Sequence, residues 1–254
     1  MVDSDGGKVD LDIYNILNPK HSLRTTVEEF QSTGDPSTLQ HMLIGILLNQ
    51  MSAKAGINKY GNKAEEVLFA EFLQLHNMHV FLPAHKRNLT KEQIRKTLRA
   101  ISVIKEKRDD TLKGRTCAIG TPQRKYYDKN ETASPTVHAD SFMLTTAIEA
   151  KEKRKVGTGN IAGAFLHALE KYFTVIKFVN EQVDILCQTD EKYSKYITYE
   201  GKNKVIYFML DRALYGTLTA AVFWYKLLTT TLMDQGFKLK PYDYCMANST
   251  INNK

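Results

Sequence analysis

The sequence predicts an α+β fold, an antiparallel sheet packed by helices with a helical N-terminal part. Two patterns carry this. Segments with apolar residues three and four apart, some with capping residues ahead of them, dominate the first hundred positions, whereas β-branched runs such as TVIKFV and KVIYFML gather beyond residue 170. At 254 residues and 43% hydrophobic content, the chain can bury one large core or two small ones.

Taken in order, the first 35 residues are polar and weakly patterned, a linker or poorly ordered arm. Asp35, Pro36 and Ser37 supply a cap and an early proline for a helix, TLQHMLIGILLNQM, that stops before Gly56. Val67, Leu68, Phe72, Leu75 and Met78 mark a second helix from Lys63 to about His79. Thr90 and Gln93 form a capping box, and Ile94, Leu98, Ile101 and Ile104 predict a third helix running through the basic residues that follow. Asp109 and Asp110 then read as the loop that ends it. GRTCAIG and QRKYYDK are expected to pair as a hairpin around Thr121-Pro122, and Ser134-Pro135 to open the helix VHADSFMLTTAIEAKEK. VGTGNIAGAF and TVIKFV read as strands, and YEGKNKVIYFML as a hairpin turning at Gly201-Lys202-Asn203. The helix over 216–235 ends at Gly236, and PYDYCMANST forms a last strand whose edge near 243–250 is left open.

The charge is uneven. Residues 86–125 hold thirteen Lys and Arg against four acids, a net of +9, so the rest of the +7 chain sums to −2. Such a block suits a polyanion, nucleic acid above all, because each neutralised phosphate releases condensed counterion. Cys117, Cys187 and Cys245 form no CxxC pair and fit reduced thiols. The acidic opening MVDSDGGKVDLD is no signal peptide. In YGTLTAAVFWYKLLTTTLM, Lys226 would cost about 2.5–3.5 kcal/mol at a bilayer centre, so a buried helix is expected there. An intracellular, cytoplasmic protein without membrane partners follows.

Two other constellations carry less. His76, His79 and His85 lack an identifiable third or fourth metal ligand and read as surface histidines, with no metal site expected. Ser134, His138 and Asp140 are neighbours in sequence, but a hydrolase triad needs spatial convergence and an oxyanion hole; a capping Ser134 explains them.

Several stretches, in order, resemble the copia-type retrotransposon reverse transcriptases: KGRTCAIG, SPTVHADSFMLTTAIEA, NIAGAFL, LDRALYGTLTAAVFWYKLL and QGFKLKPYDYCMAN. ALYG with the following FWY is the most diagnostic. The resemblance spans roughly 58–254, leaving 1–57 as an N-terminal arm. It implies part of a right-hand polymerase, fingers plus the first half of the palm, from the RNA-directed DNA polymerase domain of a pol polyprotein. Intact relatives act on an RNA template and DNA primer with two Mg²⁺ ions, held by carboxylates from a D-x-x-x-A-F strand and an aromatic-x-Asp-Asp hairpin.

By the same resemblance, Asn160 stands where the first aspartate belongs, ahead of Ala164-Phe165, and the Asp-Asp hairpin is absent. A neutral amide cannot offset two cations beside a triphosphate. The chain is therefore expected to be a catalytically inactive fragment that binds no metal cofactor. Lys113 and Arg115 match residues that contact the incoming triphosphate, Gly163 and Ala164 allow close backbone approach to it, and Phe165 matches the residue beneath the sugar or is an ordinary core aromatic. Thr219 departs from the longer polar side chain of many relatives. The alternative expectation is an RNA- or DNA-binding module using the basic 86–125 segment, with Arg95, Arg99, Lys105, Lys107 and Arg108 as contacts, or a transposon remnant without function. Oligomeric state is left open.

Overall fold

The computed structural model describes residues 50–107 and 109–249. The expected arm, the helix over 38–49 and Arg108 lie outside them. Of the described residues, 50–68 with 102–115 form one compact unit and 69–101 with 116–249 another.

In the smaller unit, β1 (Gln50–Ser52) pairs antiparallel with β3 (Leu98–Glu106), Met51 opposite Ile104. Ser52 then caps α1 (Ala53–Tyr60), its hydroxyl accepting from Ala55 N–H. The sequence expectation that a helix stops before Gly56 is corrected here. Gly56 lies inside α1 and is buried, because any Cβ there would fall 2.5 Å from Ile104 Cδ1.

The helix α2 (Asn62–Asn77) forms as expected, with Leu68, Phe72 and Leu75 fully buried. The third helix does not. The Thr90–Gln93 capping box starts α3, which spans only Lys91–Lys96, and β3 follows at once. Leu98, Ala100, Ser102 and Ile104 alternate with the more exposed Arg99, Ile101, Val103 and Lys105, a period of two that the apolar spacing at 94, 98 and 101 had disguised. Asp109 and Asp110 accordingly form the turn to β4 (Leu112–Ala118), which pairs with β3, instead of closing a helix.

In the larger unit the strand order is β3-β5-β7-β2, from β5 (Val175–Val179), β7 (Asn203–Leu210) and β2 (Phe81–Ala84). β6 (Thr198–Glu200) pairs with β7 through the expected turn, Gly201 at φ 61°. Pairing is antiparallel except between β3 and β5, where Leu98 lies opposite Ile176 in a parallel register. Val205, Ile206, Tyr207 and Phe208 are all buried because both faces of β7 are covered. One face meets Phe72, Phe81 and Phe178; the other packs Val175, Val205 and Tyr207 against Leu89 and Ala84. Behind β5 comes α6 (Glu181–Thr189). It buries Val183, Ile185 and Leu186.

Three further expectations are corrected. The supposed second hairpin strand over 123–129 does not form: its first residues, Gln123–Lys125, lie in a 3-10 turn over Thr121–Lys125 that Pro122 helps to open. After the short α4 (Lys129–Thr132) comes α5 (Ala139–Lys151), capped from afar: His138 N–H donates to the buried Asp243 at 2.9 Å, while Ser134 Oγ reaches only Pro135 O. Of the supposed strand over 156–165, residues 156–161 are exposed and irregular, and its end enters a 3-10 turn over Ala164–His167. Among the described residues no strand runs beside them, and an unpartnered strand leaves its backbone N–H and C=O groups to water. The chain closes with α7 (Ala220–Asp234), stopped at Gly236 (φ 85°), and the ribbon of β8 (Lys238–Lys240) with β9 (Asp243–Asn248), so the last strand has a partner the sequence reading did not anticipate.

Candidate nucleic-acid interface

In the smaller unit, one hairpin arranges Lys105, Lys107, Lys113 and Arg115. Lys107 N–H donates to Thr111 O at 2.8 Å, and Asp109 Oδ1 accepts from both Thr111 N–H and Thr111 Oγ1, which fixes the β3–β4 turn. That register sets Lys105 opposite Lys113 and Val103 opposite Arg115, so the three cations share one face. All three are exposed and, among the described residues, none is ion-paired. Like charges directly opposite on a strand pair repel, and an anion across that face would relieve the repulsion. Lys107 is exposed beside them. Gly114 is buried because a Cβ would stand 2.7 Å from Val67 O, holding the strand down against α2.

In the larger unit, Arg95 and Arg99 are exposed on α3 and β3. Arg99 borders a recess of about 200 Å³ with Lys177, Asn180 and Glu200. The carboxylate there is already committed. Lys86 Nζ at 2.8 Å, Lys177 Nζ at 2.7 Å and Tyr207 Oη all donate to Glu200, which lowers its pKa to about 2. Desolvation and the same carboxylate push the Tyr207 phenol up.

Gly163 adopts φ 63° and opens the 3-10 turn, where Leu166 N–H donates to its carbonyl at 2.7 Å. A Cβ on Gly163 would come within 3.2 Å of Gln74 Nε2. Ala164 and Phe165 are half-buried, the Phe165 ring 5.4 Å from that of Tyr215 and packed against Ala168, Ala213 and Phe223. Tyr215-Gly216 is itself clamped to β4: Ala118 N–H donates to Tyr215 O at 2.7 Å, and Gly216 (φ 87°) lies so near Ala118 that no Cβ fits. Asn160 sits outside this packing, exposed.

The sequence pattern of the reverse transcriptase (RNA-dependent DNA polymerase) family matches residues 82–250. The chain belongs to that family. Neither a curated protein nor a solved structure matches it. The reverse transcriptase pattern therefore covers the basic hairpin, the Gly163–Phe165 turn and the Tyr215-Gly216 clamp together.

Asn160 offers a neutral amide, and among the described residues no three His, Cys, Asp or Glu side chains gather as a metal-binding group. His76 is half-buried with Nδ1 2.8 Å from Tyr193 Oη, and His85 stacks on Tyr196, so of the three histidines read as surface residues only His79 is exposed. Thr219 is fully buried, its hydroxyl without a partner among the described residues. Among the described residues no helix is long and apolar enough to cross a membrane.

Sequence reasoning missed Glu170. Its carboxyl is half-buried near Tyr127 and Tyr172, Oε1 accepting from Tyr172 N–H at 3.1 Å and Oε2 without a partner among the described residues, and burial raises its pKa to about 7. The folded chain thus holds a proton that an unfolded carboxyl releases near 4.5. Stability from this group is full below pH 4.5 and is lost as pH rises through about 7, on the order of 3 kcal/mol. Glu170→Gln should remove that slope. Urea midpoints of the variant should change less between pH 5 and pH 8 than those of the parent, and an equal change in both would refute the assignment.

Proposed function

We propose that this chain is part of a copia-type retrotransposon reverse transcriptase that binds nucleic acid through its β3–β4 hairpin and does not polymerise. The face of Lys105, Lys113 and Arg115, unpaired among the described residues, is the observation that carries the binding, since three cations without carboxylate partners there are ready for phosphate. Asn160 carries the inactivity: at the place of the first palm aspartate, it supplies no charge to hold catalytic cations against a triphosphate.

Binding to a labelled single-stranded RNA should weaken linearly in log K with log salt. Lys113→Ala with Arg115→Ala should lower the slope by roughly 1.4, from about 0.7 for each phosphate contact on single strands. An affinity indifferent to salt would overturn the binding reading. Primer extension on an RNA template with Mg²⁺ or Mn²⁺ should be undetectable, and any extended product would refute the inactivity.

A further inference from the structure

The larger unit contains a cleft that none of the residues above explains. It measures about 450 Å³ and lies between α3, the 3-10 turn at Thr121–Lys125 and the chain entering β5. That is within the range of small-ligand sites. Its walls are aromatic: Tyr126, Tyr127, Tyr172 and Phe173 all line it, with Lys96 and Gln93 facing them from α3.

The four rings fall into two pairs. Tyr127 and Tyr172 are fixed, their centroids 4.9 Å apart, Tyr172 also against Phe223 and its hydroxyl on Glu131. Phe173 and Tyr126 are 59% and 42% exposed, and among the described residues neither has a ring partner. Exposed rings at the rim of a cleft with a rigid aromatic wall are suited to stacking a planar π-system. Charge selects which one. Lys96 Nζ lies 4.5 Å over the Tyr126 ring and 2.8 Å from Glu92 Oε1, whose residue also lines the cleft, so this cation beside the stacking surface is shared with a carboxylate. Arg95, Arg124 and Lys125, each adjacent in the chain to a lining residue, are exposed. Stacking rings flanked by segments with a surplus of cations, Arg95, Lys96, Arg124 and Lys125 against Glu92, match a base carrying a phosphate.

We propose that this cleft binds a nucleobase of single-stranded nucleic acid, stacked on Phe173 and Tyr126 with its phosphates toward the basic segment at 124–125. It rests on the reading that the chain binds nucleic acid, and adds a base-dependent contact that the β3–β4 hairpin cannot make. A free nucleotide offers the same chemistry as a base within a strand.

The test compares a labelled 15-mer oligouridine with an abasic 15-mer of equal charge on the full chain. The parent protein should prefer the oligouridine by roughly tenfold, the size expected for one stacked base. Phe173→Ala and Tyr126→Ala should each erase most of that preference, with urea midpoints unchanged because both rings are exposed. Lys113→Ala should weaken both probes alike and keep their ratio. If the cleft variants retain the parent's ratio, the cleft proposal is wrong while the hairpin reading stands; if the parent binds neither probe, both fall. Displacement of the oligouridine by uridine monophosphate would assign the site to free nucleotides, and retention of the oligouridine to a strand. Cross-linking with 5-iodouridine in the same 15-mer gives an independent check, since adducts that avoid Tyr126, Tyr127 and Phe173 would overturn the site even if a variant misfolded.

Discussion

Gly216→Ala is expected to destabilise the larger unit by about 3 kcal/mol or more, with the urea midpoint falling accordingly. Two independent penalties add. At φ 87°, Gly216 holds a backbone conformation that costs an L-residue about 1–2 kcal/mol. Its added Cβ would also stand 2.1 Å from Ala118 O, a backbone atom that cannot swing away. Shifting that carbonyl breaks into the contact where Ala118 N–H donates to Tyr215 O at 2.7 Å, and Gly120, whose own Cβ would meet Gly216 O at 2.1 Å, blocks retreat on the other side. The buried Gln123 is tied in as well, accepting from Leu218 N–H at 3.0 Å. Gly157→Ala is the control, since a Cβ there meets no atom within 4 Å and the residue lies in an exposed segment. Equal midpoints for the two variants would show that the strand and the Tyr215-Gly216 turn can separate without cost.

This interlock gives the ALYG motif a physical reason, and it illustrates which parts of the fold were legible in the sequence. Local signals read correctly: the Thr90–Gln93 capping box, the apolar stripe of α2, the Gly201 turn and the Gly236 stop each depend on residues within a few positions of one another. β3 was misread because Ile94, Leu98 and Ile101 fit a helical spacing as well as Leu98, Ala100, Ser102 and Ile104 fit a strand. What decides between them is distant, since β3 is held by β1, β4 and β5. The segment around Asn160 failed in the opposite sense, with strand-like composition but no strand beside it among the described residues.

The same division runs through the candidate sites. The surplus of cations at 86–125 was visible as composition, and the hairpin register then singled out Lys105, Lys113 and Arg115 as one face. Glu200, Glu170 and the aromatic cleft were not visible. Glu200 collects Lys86 from 114 positions away and Lys177 from 23, and the cleft draws its rings from near 126 and near 172, so only the packed sheet brings them together. No spacing rule in a single sequence encodes such convergence.

Phe178→Ala should cost about 3–5 kcal/mol, the range for truncating a fully buried phenylalanine. Phe178 is the ring on which three elements meet. Its centroid lies 5.6 Å from Phe72 of α2, 5.6 Å from Phe81 of β2 and 5.4 Å from Phe208 of β7, two of the three nearly edge-to-face. Alanine would leave a void walled by three rings, each held by its own neighbours and slow to collapse inward. Phe178→Leu restores most of the volume without the quadrupole contacts, so its loss should be smaller, about 1–2 kcal/mol. Denaturant titration of both variants separates the two contributions: the gap between alanine and leucine measures the cavity, and the residual cost of leucine measures the ring geometry. A leucine variant as unstable as the alanine one would mean that ring orientation, not filled volume, holds α2 to the sheet.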